Sequence, residues 1–289
     1  MWPFKRKPVV PVVRLTGAIG ISSPLRPGLG LASIASTLER AFNASKLPSV
    51  ALLINSPGGS PVQSNLIFKR IRQLAAEKDK KVYVFCEDVA ASGGYFLAVA
   101  GDEIYADPSS IIGSIGVISA SFGFDRAIEK LGVERRVYTA GLSKGSLDPF
   151  KPEVPEDIAR LKLLQKDVHD VFIGVVKERR GAKLKGPDGE LFSGAFWSGP
   201  RALDYGLIDG ISDVRSRMRE LHGPNVKLMM VSPPSGGLLG RLRRLPTSGG
   251  FSGLERAFDR LDSGAFAAGL ASGILSTLEE RALWGRYGL

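Results

Sequence analysis

Three clusters of small residues, Asn55-Ser56-Pro57-Gly58-Gly59, Ala91-Ser92-Gly93-Gly94 and Gly113-Ser114-Ile115-Gly116, each close an apolar run of this chain. A strand, a sharp turn and a helix, repeated several times, build a largely parallel sheet with helices packed on it. β-like runs are predicted at Val9–Ile19, Ser49–Ile54, Lys81–Cys86, Glu103–Ala106, Gly116–Ala120 and Arg135–Thr139. Helical periodicity covers Leu31–Phe42, Gln63–Glu77 and Asp125–Leu131. A long helix is predicted over Pro155–Arg180, with Pro155 suited to its first turn and a stripe running from Ile158 through Leu161 and Val168 to Val176. Beyond it come a short helix ending near Gly206 and a closing strand. The fold class is therefore α/β.

Past about Val231 the composition turns to Pro, Gly, Ser and Arg. Residues 1–230 are read as one domain and 231–289 as a linker and tail. Phe251, Leu254, Phe258, Leu261 and Ala265 predict a short amphipathic helix in that tail. Such a helix docks on its own domain or a partner, or lies on an anionic membrane surface. The formal net charge of +10 favours anionic surfaces. No RNP, zinc-finger or Walker signature is present, so no nucleic-acid partner is expected; solvated lysines and arginines are the plain alternative.

The basic start Met1–Lys7 resembles a signal peptide, but Pro8, Pro11 and Arg14 break up the apolar run beyond it. The longest uncharged stretch, Ser263–Leu278, is shorter than the roughly 20 apolar residues of a spanning helix. No transmembrane helix is expected. The location expected is cytoplasmic, with peripheral contact at the inner face of the membrane as its extension. The single cysteine, Cys86, lies in an apolar run and excludes an intrachain disulfide, while His169 and His222 form no zinc cluster. No metal or cofactor is expected.

Ser92 has two readings. Serine is a favoured helix cap, and Gly93 opens a helix. A serine followed by two glycines also exposes its hydroxyl and the next backbone N–H, which suits a nucleophile beside an oxyanion site. The Gly93 N–H is placed for the oxyanion, and Gly58 or Gly59, in the preceding glycine turn, supplies a second donor. With histidine scarce, the base would be a lysine, which works only if burial brings its pKa down from about 10.4 toward neutrality. Lys144, in the small-residue segment Thr139–Ser146, is the candidate.

These motifs, together with Trp197-Ser198-Gly199 and Ala202–Asp209, succeed one another in an order that resembles the signal peptide peptidase A / protease IV family of serine peptidases. The resemblance covers roughly Val9 to Gly210. It implies a ClpP/crotonase-type fold of repeated ββα units with a long helix and a C-terminal extension, and a Ser/Lys dyad. On the matching positions, Ser92 is the nucleophile and Lys144 the general base. Gly59 and Gly93 carry the oxyanion N–H groups, and Ser114 hydrogen-bonds the lysine. The length resembles the short single-domain form, which implies a homo-oligomeric ring in which neighbouring chains share each site. Many members carry an N-terminal anchor, whereas here the first strand begins almost at once. The implied function is an endopeptidase acting through an acyl-enzyme on short apolar peptides such as cleaved signal peptides. Two alternatives stay open: a crotonase-type acyl-CoA enzyme drawing on Glu87 and Asp88, and a non-catalytic, membrane-associated ring scaffold.

Overall fold

The computed structural model describes residues 7–21, 28–141, 143–233, 278 and 280–288. Its elements run β1 (Val9–Thr16), α1 (Leu31–Asn43), β2 (Ser49–Ser56), α2 (Pro61–Glu77), β3 (Lys81–Ala91), α3 (Gly93–Ala98), β4 (Glu103–Ala106) and β5 (Ile111–Gly113). The second half adds α4 (Asp125–Lys130), α5 (Pro155–Arg180), α6 (Asp188–Leu191), β6 (Phe196–Ser198), α7 (Gly199–Asp204), β7 (Gly210–Ile211), α8 (Val214–His222) and β8 (Lys227–Met230). The predicted tail helix around Phe251–Ala265 lies outside the described residues.

One sheet carries the order β6-β5-β3-β2-β1-β8, with β4 beside β3 and β7 beside β4. Every pairing is parallel except β5 with β6. Side chains alternate across it. Val13, Leu15, Leu52, Ile54, Val82 and Val84 face one core with α1, α2, α3 and the end of α5. Val10, Val12, Ala51, Tyr83 and Phe85 face a second, smaller core under Met218 of α8. Burial on both faces explains why these strands read as continuous apolar runs. Cys86 is fully enclosed in the first core, where burial pushes its thiol up to about 12.

The α/β class stands, with three local corrections. Gly116–Ala120 and Arg135–Thr139 are not strands: neither has a pairing partner among the described residues, and Arg135–Thr139 is wholly exposed. β3 does not stop at Cys86 but continues to Ala91, because the same edge finds a second partner. Tyr83–Cys86 pair with β4, and Val89–Ala91 pair with β5. The charged Glu87-Asp88 at that junction reads as a strand end although the ladder resumes beyond it. Finally, the long helix has the predicted bounds, but its stripe is not all core. Only Phe172, Val176 and Arg180 are buried, and Leu163 and Leu164 stand open to solvent.

The end of α5 is tied down by charge. Arg180, 3% exposed, donates to the Gly206 carbonyl and to Asp209, whose carboxylate also accepts from Lys183 and from the Ile104 N–H. Burial alone would raise the Asp209 pKa, but these hydrogen bonds outweigh it and the net direction is down. A depressed carboxyl adds stability that is complete above its unfolded value and is lost as pH falls through the folded one. Asp209→Asn is therefore expected to remove one component of acid destabilisation below about pH 4, measured as a shallower fall in denaturation midpoint with pH than in the parent chain.

Candidate active site

Ser92 sits where β3 gives way to α3, with φ 52° and ψ −123°. A non-glycine residue in this sparsely populated region stores about 1–3 kcal/mol of strain, which the surroundings must hold. Three contacts hold it. The Ser92 N–H donates to the Gly113 carbonyl at 2.8 Å, its carbonyl accepts from the Phe96 N–H at 3.0 Å, and the Tyr95 hydroxyl anchors α3 to the Leu207 carbonyl at 2.7 Å. The side chain makes no capping hydrogen bond. The helix-cap reading of this serine is thus not what its hydroxyl does.

The neighbouring glycine turn is built to approach it. Ser56 fixes the turn by donating to the Gly17 carbonyl and accepting from the Gly58 N–H. A Cβ on Gly58 would lie 2.8 Å from both the Gly93 nitrogen and the Ser92 Cβ, so the two turns touch through bare backbone. Gly59, with φ 141°, forms a parallel bridge to Ile19 through the flanking Gly58 carbonyl and Ser60 N–H, at 2.8 Å each. In that geometry the Gly59 N–H points away from Ile19. Among the described residues, neither the Gly59 nor the Gly93 N–H has a hydrogen-bond partner.

Gly59, Ser92 and Gly93 line a cavity of about 200 Å³. Its walls are apolar, from Val62 of α2, Phe96 of α3, Val117 and, on α5, Val168 and Phe172. Sequence reading missed these walls. The signal was present in the α5 stripe, but a stripe that lines a cavity has the same periodicity as one that fills a core.

The structure brings three of the five candidate residues together at the cavity. A fourth, Ser114, is one residue beyond the Gly113 that holds Ser92, and is itself buried with φ 52° and its N–H on the Ala195 carbonyl at 2.7 Å. The fifth, Lys144, does not join them. It is exposed, does not line the cavity, and has no side-chain hydrogen bond or ion pair among the described residues. His169 contacts the Ile115 carbonyl and His222 the Ser49 hydroxyl; neither lines the cavity. Glu87 pairs with Arg14, and Asp88 accepts from Asn55.

The signature of Peptidase family S49 matches residues 75–227, more than half of the 289. The chain belongs to that family. The matched span of the S49 signature contains Ser92, Gly93, Ser114 and Lys144, while Gly59 precedes it. A protein of Synechocystis named as a protease is 31% identical over 267 residues, which cover 90% of this S49 chain and 91% of that protein. Protease 4 of Haemophilus influenzae is 31% identical over 203 residues, 70% of this chain and 32% of that one. The Brucella abortus protein named Na(+)/H(+) antiporter NhaA is 57% identical over 281 residues, 97% of this chain. This chain spans only 37% of the length of that Brucella relative. Among the described residues of the S49 chain, no helix is long and apolar enough to cross a membrane.

Proposed function

We propose that this S49 chain is a serine endopeptidase in which Ser92 attacks the substrate carbonyl and the Gly59 and Gly93 N–H groups receive the developing oxyanion. The observation that carries the reading is the strained Ser92 beside two amides without a partner among the described residues, all three lining one largely apolar cavity. Lys144 Nζ takes the Ser92 hydroxyl proton as Oγ bonds to the carbonyl carbon, and the C=O electron pair moves onto oxygen. Collapse breaks the C–N bond, and the same proton goes to the leaving amine. Water, deprotonated by Lys144, then attacks the ester carbonyl; the C–Oγ bond breaks, the peptide leaves as an acid and Lys144 returns the proton to Ser92 Oγ. The apolar cavity suits short apolar peptides, cleaved signal peptides among them.

Lys144 reaches Ser92 across an interface with a second copy of the chain. Supporting this, it stands on an arm whose large apolar side chains face solvent: Phe122, Leu131 and Tyr138 are 79%, 76% and 91% exposed. Large apolar side chains left in solvent along one segment are what an association surface would cover. In this reading Ser114, buried one residue past the strand that accepts the Ser92 N–H, hydrogen-bonds the incoming amine. The acyl-CoA alternative lacks a carboxylate at the cavity, since Glu87 and Asp88 are engaged elsewhere.

A fluorophosphonate probe is expected to modify the full chain once, with the adduct on the peptide containing Ser92 by mass spectrometry. An intact chain that stays unlabelled while a control serine hydrolase reacts would sink the reading.

A further inference from the structure

The strand ends that carry Ser92 and Ser114 are thinly supported by backbone. β5 and β6 are three residues each, and in register Ala91 pairs with Gly113 and Gly113 with Phe196. One face of this row belongs to the main core through Ala90 and Ile112. The opposite face, Val89 and Ala91 with the flanking Ile111, is covered from the far end of the chain. Trp284 and Tyr287, at the end of a helical segment over 280–285, pack there, and Tyr287 meets Phe196 edge-on with ring centroids 5.1 Å apart. Tyr287 is 8% exposed and Val89 and Ala91 are fully buried. The Tyr287 hydroxyl is also buried, yet has no hydrogen-bond partner among the described residues. The ring, not the hydroxyl, is therefore what this contact uses.

We infer that Tyr287, backed by Trp284, is a positioning residue that clamps the β3–β5–β6 ends and so holds Ser92 and Ser114 in their catalytic placement. This rests on the peptidase reading of the same site. The link is short: Tyr287 packs in one buried cluster with Val89 and Ala91 and meets Phe196 edge-on, and two hydrogen bonds, Ser92 N–H to Gly113 and Ser114 N–H to Ala195, lie at the ends of the same three strands. Loss of the ring opens this face to water and leaves the ladder to its few backbone bonds. Because small displacements of a nucleophile are costly, Tyr287→Ala is expected to lower kcat by about tenfold or more with KM little changed. Tyr287→Phe keeps the ring, removes an unsatisfied hydroxyl, and is expected to retain full activity and stability.

The deciding measurements are turnover and residue-resolved hydrogen exchange on the full chain carrying Tyr287→Ala, Tyr287→Phe or Trp284→Ala. The expected result is a loss of protection of at least about tenfold at the Ser92 and Ser114 amides in Tyr287→Ala, with the β1–β2 ladder unchanged and Tyr287→Phe like the parent chain. Unchanged protection at both serines overturns the proposal, as does a uniform loss across the whole sheet. If the parent chain is not acylated at Ser92, the peptidase reading fails, while the exchange comparison still decides whether the clamp exists.

Discussion

Ser92→Ala is expected to reduce peptide hydrolysis by at least about a thousandfold, because loss of the nucleophile leaves only oxyanion stabilisation and binding. The fold should survive: the substitution keeps the backbone strain and deletes a hydroxyl that caps nothing. Lys144→Ala is expected to be as inactive, again without loss of stability, since the side chain is exposed and unpaired among the described residues. The two inactive variants then complement. If each site takes its serine from one copy and its lysine from the next, random mixing in equal amounts restores about a quarter of the sites in a closed ring. Recovery of activity on mixing, measured after co-refolding, supports the shared site. Full activity in either single variant removes that residue from the mechanism, and no recovery on mixing places both residues of a site in one chain.

Gly59→Ala has the second-largest expected effect, with two independent causes. A Cβ there would lie 2.1 Å from the Ile19 carbonyl oxygen, which is backbone and cannot swing away. Its φ of 141° is also one that residues with side chains rarely adopt. The turn must therefore shift, and with it the N–H assigned to the oxyanion. Removing a single oxyanion donor costs about a hundredfold to a thousandfold in kcat. The loss is expected in kcat, with fluorophosphonate labelling of Ser92 slowed in parallel. Normal kcat in a folded Gly59→Ala chain would show that this amide does not serve the oxyanion.

The sheet was readable wherever a run was apolar enough to be buried on both faces, as at Ser49–Ser56, and wherever a turn demanded glycine. It was less readable where a partner decides the matter. Val137-Tyr138-Thr139 has strand-forming residues but no neighbour to pair with. Ile111–Gly113 is too short to register by composition, yet the protein uses it to carry Ser114. The site was legible in the same uneven way. Ser92, Gly59 and Gly93 announce themselves through the small residues that let the turns meet. The cavity wall did not, because Val168 and Phe172 satisfy helical periodicity whether they meet packed side chains or empty space. Tyr287 shares a buried cluster with Ala91, 196 positions away, with no pattern in the tail to signal it.

The divided edge of β3 has a mechanical consequence. From Tyr83 to Cys86 the strand is paired along both edges without a break, while beyond the register shift it keeps a single pair with β2, Ser56 with Ala90, and three with β5. It is a beam held more closely at one end than at the other. The longer ladders lie toward the Cys86 end, so a local change near Ser92 need not disturb them. Melting temperature is consequently a poor proxy for the geometry at Ser92: a variant can unfold at the usual temperature and still have this serine out of line.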